Sequence, residues 1–348
     1  MTEDSRDMML LRYKGCLLGA VLGDALGMPY ETLPVRTPQP LSFKKAYRGH
    51  PNELLIPGQY TDDGQILLMS ARILTDSPRF SKTAYAEELL RTHRLNKFRY
   101  PDGAVAAACK KMDKTKNLTE AGINSDSAGC LALAIPFALG FADKREMAKE
   151  LSAACSITHT NTAAQAAAVG LALFLRTLIE TGDMDAAFNA LDTAAQNMYP
   201  ELYIRLAHAY RAAADEKPAS IAAVEIGTSS QVTQVIPLAA YLCRKCTSPE
   251  ELLASAAACG GNAGTVAMIC GAAAGARFGI TSMPLDLIRN VERAAIFSEL
   301  AEKLYFRAHP KIRNPVETAE ENKEESEENP EQNSADKSEE TSAEKTEN

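Results

Sequence analysis

The sequence lacks long uncharged apolar runs. No stretch reaches the about 18 apolar residues that a membrane-spanning helix needs, so we expect no membrane span. The first residues, MTEDSRDMMLLRYKG, lack the basic flank and cleavage pattern of a signal peptide. These absences predict a cytoplasmic protein with no membrane partner.

Alternating apolar and polar runs joined by short turns, which indicate β-hairpins, are also missing. Apolar residues recur at three- and four-residue spacing in alanine-rich segments, a pattern typical of helices. The main segments are AVAAACKKM, TAAQAAAVGLALFLRTLIE, DAAFNALDTAAQNM, YIRLAHAYRAAA and PEELLASAAACGG. We predict one all-α domain over residues 10–312, preceded by an N-terminal extension of residues 1–9.

Basic and apolar residues are scarce at the C-terminal end. Residues 316–348 contain 13 acidic residues, three lysines and no aromatic residue. Because the whole chain carries a net charge of −8 and this segment −10, the preceding residues carry +2. Such a segment buries too little apolar surface to offset the entropy of ordering. We predict a disordered acidic tail over residues 313–348 and, from the composition, no nucleic-acid partner.

A second Cys-x-x-Cys pair is absent. Cys243 and Cys246 form a single CRKC, without the second half of a zinc site or the preceding strand of a redox fold. The eight cysteines lie mostly inside apolar runs, which predicts buried and reduced thiols.

Glycine is concentrated on one predicted helix, LRYKGCLLGAVLGDALGMPYE, at four-residue intervals that share one helical face. Each glycine in a helix interior costs about 1 kcal/mol relative to alanine. We therefore expect another backbone to pack closely against this face. A second row, Gly271, Gly275 and Gly279, predicts the partner helix.

Oxygen-bearing side chains cluster in YTDDGQILLMSARIL. Thr61, Asp62 and Asp63 precede an amphipathic helix, where one N-cap needs only one side chain. Capping and the helix dipole account for such residues, but three together also fit a hard cation such as Mg²⁺. Asp24, on a largely apolar helix, needs a polar partner.

The order of four motifs resembles that of the ADP-ribosylglycohydrolase family. The motifs are GCLLGAVLGDALGMPYE, YTDDGQILLMSARIL, SITHTNTAAQAAAVGLALF, and VTQVIPLAAYL followed by CGGNAGTVAMICGAAAGARFG. The resemblance covers roughly residues 10–295. It implies an orthogonal helical bundle with a binuclear Mg²⁺ site in a cleft. It also implies hydrolysis of the bond between ADP-ribose and an amino-acid side chain or a small molecule.

Residue by residue, the resemblance implies a metal site and a catalytic pair. The Thr-Asp-Asp of the family matches Thr61, Asp62 and Asp63, which would be metal ligands. The glutamate after its first helix matches Glu31, placed near the substrate ribose. Glu31 and Asp62 are the implied catalytic residues.

The resemblance also implies a substrate subsite. Its Thr-His matches Thr158 and His159. Taken alone, His159 could be a general base, but a lone histidine in this place is more often only a hydrogen-bonded residue before a helix. The glycine-rich substrate loop matches NSDSAGCLAL, so that Asp126 and Ser127 would contact substrate. Cys130 stands near the position of an arginine in the family.

The last motif departs from the family pattern Gly-Gly-Asp-Thr-Asp-Thr. Two expected carboxylates are replaced by Asn262 and Gly264. Asn262 is a good N-cap residue for the helix that follows it. The Asn262 carbonyl and the Thr265 hydroxyl also remain as possible oxygen ligands. Asp62 and Asp63 together balance one divalent ion, so we predict one Mg²⁺ rather than two, with no bound ion as the alternative.

Two function hypotheses follow. The first is a hydrolase of ADP-ribose linkages with a degenerate metal site. The second is a catalytically inactive relative that binds ADP-ribose, a nucleotide or a modified partner. A third hypothesis, a purely structural helical bundle, does not explain why acidic residues cluster at the start of a helix.

Overall fold

Helices make up most of the computed structural model, which describes residues 3–312. In this range the chain forms fifteen α-helices, three short 3₁₀ turns and no strand, as predicted. The helices are α1 (Glu3–Gly27), α2 (Asp62–Asp76), α3 (Lys82–Arg94), α4 (Gly103–Thr115), α5 (Leu131–Gly140), α6 (Lys144–Cys155), α7 (Thr162–Thr181), α8 (Met184–Met198), α9 (Pro200–Ala214), α10 (Ala219–Ile226), α11 (Val232–Lys245), α12 (Pro249–Ala257), α13 (Ala263–Phe278), α14 (Leu285–Asn290) and α15 (Ala294–Ala308).

The alanine-rich segments form α4, α7, α8, α9 and α12, in agreement with their spacing. Polar N-caps begin four of them, because Asp102, Asn161, Asp183 and Ser248 accept hydrogen bonds from main-chain N–H groups of the first turn. α7 is long and apolar enough to cross a membrane by length and composition, but most of it is buried in the bundle. Its apolar faces contact α5, α6 and α8, which makes it a core helix.

The centre of the bundle is an antiparallel pair, α1 and α13, in backbone contact. A Cβ built on Gly19 would lie 2.2 Å from the carbonyl oxygen of Gly271, and one on Gly275 would lie 1.9 Å from that of Gly15. Only residues without a side chain allow this approach, so the predicted pairing of glycine rows is confirmed. Gly279 lies just after α13, at its C-cap with a φ of 77°, and its carbonyl carbon would be 2.9 Å from a Cβ built on Gly15.

The ends of the chain differ from the predicted boundaries. Residues 3–9, expected to be an extension, form the first turns of α1. Within the described residues, the chain up to Ala308 forms one compact unit. The predicted tail, residues 313–348, lies outside the described residues.

All eight cysteines are free and buried, as their apolar surroundings predicted. Burial raises the pKa of Cys246 to about 12, which keeps this thiol protonated and unreactive. Cys243 is 3% exposed and Cys246 is 6% exposed, so the CRKC pair is part of the core.

The α1–α13 crossing predicts the effect of a single methyl group. Gly19→Ala would force the two backbones apart, and we expect it to lower the free energy of unfolding by about 3 kcal/mol. Gly103→Ala is the matched control, because no atom lies within 4 Å of a Cβ at that position. Urea unfolding of both variants measures the difference. Equal stability of Gly19→Ala and the wild type would contradict the crossing.

Candidate functional site

The N-terminus of α2 is organised by a buried carboxylate on α1. Asp24 Oδ2 accepts hydrogen bonds from the N–H groups of Thr61 and Gly64, both at 2.9 Å, and Asp24 Oδ1 accepts from the Thr61 hydroxyl at 2.8 Å. Thr61 Oγ1 also accepts from the Asp63 N–H at 3.3 Å, so Thr61 is the N-cap. Because Asp24 and Thr61 do the capping, the side chains of Asp62 and Asp63 are left for another role.

The loop before α13 contacts two other segments of the chain through its glycines. Gly260 and Gly261 have φ values of 64° and 56°. A Cβ on Gly260 would lie 2.2 Å from the carbonyl oxygen of Leu33, and one on Gly261 would lie 2.0 Å from that of Thr228. The Gly261 N–H donates to the Leu33 carbonyl at 2.9 Å, and the Asn262 N–H donates to the Thr228 carbonyl at 2.8 Å. The glycines are therefore required for close approach and for left-handed backbone.

These loops enclose a cleft of about 340 Å³. It brings together five of the residues singled out in the sequence: Glu31, Asp62, Asp63, Asn262 and Thr265. The cleft is completed by Thr32, Tyr100, Pro101, Asp102, Gly103, Gly129, Thr228, Ser229, Ser230 and Gly261.

Asn262 precedes α13 but makes no side-chain hydrogen bond to the first turn of the helix. Its expected role as a capping side chain is thus wrong. Thr61 is 2% exposed and lies beneath the cleft instead of lining it. Cys130 is fully buried, and only its neighbour Gly129 reaches the cleft wall.

The acidic groups of the cleft lie close together in a poorly solvated place. Burial, together with the charge of Asp24, raises the pKa of Asp63 to about 8, although a hydrogen bond from Thr265 Oγ1 at 2.6 Å opposes the shift. Burial and neighbouring carboxylates likewise raise the pKa of Glu31 and of Asp62 well above the ordinary range. The Asp102 N–H donates to Asp62 Oδ2 at 3.0 Å.

No ion pair in residues 3–312 includes Glu31, Asp62 or Asp63. Three neighbouring carboxylates without a cationic partner are costly to ionise in a poorly solvated cleft. A cation entering the cleft would lower that cost and release protons.

Ser127 and His159 reach the cleft only through Asp102. Ser127 Oγ donates to Asp102 Oδ1 at 2.9 Å and lies 3.1 Å from His159 Nε2, which is 3.4 Å from Asp102 Oδ1. The other ring nitrogen, Nδ1, is 2.9 Å from Thr158 Oγ1. His159 is thus fully hydrogen-bonded and buried, and its predicted contact with substrate is indirect in this arrangement.

The pKa shifts of His159 and Asp102 have the directions that an attraction between the two groups produces. Burial lowers the pKa of His159, but the Cys130 sulfur and the Asp102 carboxylate outweigh burial and raise it above 6.5. Since the pKa of the Cys130 thiol lies well above 9, this thiol is neutral and Asp102 is the effective charge. Burial opposes ionisation of Asp102 too, but the imidazole lowers the pKa of Asp102 overall.

Asp126 lies in the loop before α5, away from the acids of the cleft. Its Oδ2 accepts from Gln231 Nε2 at 3.1 Å, and its carbonyl accepts from the Val232 N–H at 2.9 Å. These bonds join the predicted substrate loop to the cleft wall at Ser229 and Ser230.

Sequence reasoning missed Asp102 as a site residue. In RYPDGAV the sequence shows only an aspartate before a helix, and the side chain does cap α4 through the Ala104 N–H at 2.8 Å. Its contacts with Asp62, Ser127 and His159 join segments 25 to 57 residues away, which no local pattern reveals. Asp24 and Thr61 were both singled out in the sequence, but the hydrogen bonds between them were not predicted.

Comparisons with known proteins agree with the helical architecture. The chain has the fold of a solved structure described as an ADP-ribosylglycohydrolase-related protein complex, with a TM-score of 0.73 and 23% identity over 87% of this chain and 99% of that one. The family model described as ADP-ribosylglycohydrolase matches residues 5–313. The chain therefore belongs to the ADP-ribosylglycohydrolase family, and membership supports a hydrolase that acts on ADP-ribose linkages.

Relatives of similar length include two named hydrolases. The ADP-ribosylhydrolase ARH3 of Danio rerio is 28% identical, over 86% of this chain and 91% of its own length. The ADP-ribosylarginine hydrolase Tri1 of Pseudomonas putida is 24% identical, over 87% and 80%. An uncharacterized protein of Archaeoglobus fulgidus is 29% identical, over 84% and 96%.

The His159–Asp102 pair predicts a pH effect. A folded-state pKa raised above 6.5 stabilises the fold below that pH, and the contribution is lost as the pH rises through the folded-state value. Asp102→Asn should lower the pKa of His159. The variant should therefore have a lower free energy of unfolding than the wild type at about pH 5.5, and this difference should be smaller at about pH 8.5. NMR titration of the imidazole and urea unfolding measure both effects. The exposed Asp113→Asn is the control, and an unchanged His159 pKa in Asp102→Asn would contradict the pairing.

Proposed function

We infer that this protein hydrolyses the glycosidic bond between ADP-ribose and an amino-acid side chain or a small molecule. The observation that carries the inference is the convergence of Glu31, Asp62 and Asp63 in one cleft without a cationic partner. Glycosidic cleavage uses carboxyl groups that hold or accept protons beside a sugar that develops positive charge. Family membership supports the same class of reaction.

The donor set of the cleft fits one divalent cation such as Mg²⁺. Asp62, Asp63 and Thr265 offer oxygen atoms, which this ion prefers, and Asn262 offers its amide carbonyl oxygen. Thr61, next to Asp62 in the chain, is buried and does not line the cleft. No three His, Cys, Asp or Glu side chains in residues 3–312 enclose a metal by themselves, so water or substrate would complete the coordination. Such an ion would hold the ribose hydroxyls and polarise the attacking water.

Asp62 and Glu31 are the residues to which we assign proton transfer. The N–H of Asp102 fixes the orientation of Asp62 by holding its Oδ2. Burial and the neighbouring carboxylates raise the pKa of Glu31, which favours its protonated form. In that form the Glu31 carboxyl group can give its proton to the leaving group, and the ionised Asp62 carboxylate can accept a proton from the attacking water.

The ADP-ribose portion is assigned to the cleft wall at Ser229 and Ser230, to which the Asp126–Ser127 loop is joined by hydrogen bonds. The bond between Asp126 and Gln231 holds these two segments together. Ser127 and His159 position Asp102 in this wall through their hydrogen bonds.

A second candidate function is binding without turnover. The observation that favours it is the missing side chain at Gly264 and the uncharged Asn262, which leave the cation with fewer acidic ligands. Such a protein would hold ADP-ribose, a nucleotide or a modified partner in the same cleft.

Turnover and binding assays separate the two functions. With Mg²⁺ present, the purified protein should release free ADP-ribose from an ADP-ribosylated arginine or serine peptide, as measured by chromatography. Asp62→Asn should reduce the rate by at least about 100-fold, because it removes a ligand and a proton acceptor. Asp76→Asn, the same change at the exposed end of α2, should leave the rate unchanged.

Calorimetric titration with ADP-ribose completes this test. Binding without release of product from any peptide would favour the second function. Absence of both binding and release would refute both assignments.

A further inference from the structure

A long connection without helix or strand begins and ends at the cleft. Residues 31–61, the α1–α2 connection, follow the first 3₁₀ turn and lead into α2. Connections of more than about 15 residues without secondary structure are uncommon in compact domains and usually carry a function. Glu31 and Thr32 line the cleft at one end of the connection, and Asp62, directly after its other end, lines it too.

The middle of the α1–α2 connection is fastened beside the cleft. The Tyr47 hydroxyl lies 2.7 Å from Thr32 Oγ1, which joins this part of the connection to a residue of the cleft wall. The Tyr47 ring packs edge-on against His50 with centroids 5.2 Å apart, and the Asn52 N–H donates to His50 Nδ1 at 2.9 Å. The segment around Tyr47 is thus held next to the cleft by specific contacts.

Positive charge is concentrated in the same segment. Residues 32–52 contain no acidic side chain and four basic ones, Arg36, Lys44, Lys45 and Arg48. All four are exposed, and none of them forms an ion pair with another described residue. Unpaired surface cations attract negatively charged groups over about 8 Å at physiological salt.

Large apolar side chains are exposed on the same connection. Tyr47 is 41% exposed, Leu54 is 89% exposed and Ile56 is 63% exposed. These are three of the ten large hydrophobic residues that are exposed among residues 3–312. One exposed leucine needs no explanation, but three such side chains within ten residues, beside unpaired cations, are typical of a surface that binds another molecule.

The size of the cleft indicates what this surface binds. A cleft of about 340 Å³ has room for a small ligand but not for a protein. A protein that carries ADP-ribose on one of its side chains must therefore lie outside the cleft while the ADP-ribose is inside. The α1–α2 connection lies where such a protein meets this one, because both of its ends are at the cleft.

We propose that the α1–α2 connection binds the protein to which ADP-ribose is attached, through a segment of that protein that carries acidic and apolar residues. Lys44, Lys45 and Arg48 attract the acidic residues of the segment, and Leu54 and Ile56 cover its apolar ones. This docking role rests on the proposed function, since ADP-ribose must occupy the cleft. The cleft then selects ADP-ribose, and the connection selects the protein that carries it.

Two labelled peptides test the docking role without turnover. Both carry one ADP-ribosylated serine beside a leucine, and the glutamates that flank the serine in the first peptide are glutamines in the second. Binding to the full chain is measured by fluorescence anisotropy with Mg²⁺ and the Asp62→Asn substitution, which prevents turnover. The glutamate peptide should bind at least about tenfold more tightly at low salt, and this preference should shrink at high salt.

The basic residues are tested by a triple variant. Lys44→Gln, Lys45→Gln and Arg48→Gln together should remove the preference for the glutamate peptide. Binding of free ADP-ribose should stay unchanged, which also shows that the fold is intact. Lys110→Gln with Lys114→Gln, at exposed positions of α4 without an ion pair, is the matched control and should keep the preference.

The apolar residues are tested separately. Leu54→Ser with Ile56→Ser should weaken both peptides by about tenfold and leave free ADP-ribose unaffected, because an apolar contact does not depend on the charge of the peptide. Val224→Ser, at a 70% exposed position of α10, is the matched control and should bind both peptides normally.

Equal affinity for the two peptides, with free ADP-ribose bound, would refute this inference alone. Weaker binding of free ADP-ribose by the triple variant would also overturn it, because the cations would then act on the pyrophosphate of the ligand. Binding to vesicles that contain phosphatidylserine, dependent on the same cations and without a preference between the peptides, would assign the surface to a membrane instead. No binding of free ADP-ribose would refute the proposed function and, with it, the docking role.

Discussion

The contact between the backbones of α1 and α13 is the constraint on which the rest of the molecule depends. The helices approach until carbonyl oxygens of one meet glycine Cα atoms of the other, at Gly15, Gly19, Gly271 and Gly275. The two helices of this crossing also supply residues to the site: Asp24 of α1 caps α2, and Thr265 of α13 lines the cleft.

Charge in the cleft follows from that geometry. Asp24 caps α2 from the neighbouring helix, so the acids of the Thr-Asp-Asp motif do not have to cap it themselves. They remain beside Glu31 in a place with little water and no paired cation, and the pKa values of Asp62, Asp63 and Glu31 are raised as a result. Because Asp24 and Thr61 cap α2, the carboxylates of Asp62 and Asp63 are available for other interactions.

The sequence predicted those parts of the structure that depend on local patterns. Helical spacing predicted the alanine-rich helices, and glycine spacing predicted the crossing, because both are periodic. Motif order predicted that Glu31, Asp62, Asp63, Asn262 and Thr265 converge. The role of Asp102 could not be predicted in this way, since it depends on contacts between distant segments. Asn262 stands at the N-cap position of α13, but its side chain makes no hydrogen bond to the first turn, so residue preference did not predict the cap correctly.

The loops around the cleft are tied to one another by their main chains. Thr32 and Leu33 bond to Gly261, Asn262 bonds to Thr228, and Val232 bonds to Asp126, in each case through N–H and carbonyl groups. A frame of this kind does not depend on which side chains project from it. Substitutions in the cleft can therefore change the chemistry of a descendant protein while its fold persists, and a family built on such a frame can give rise to both catalysts and binders.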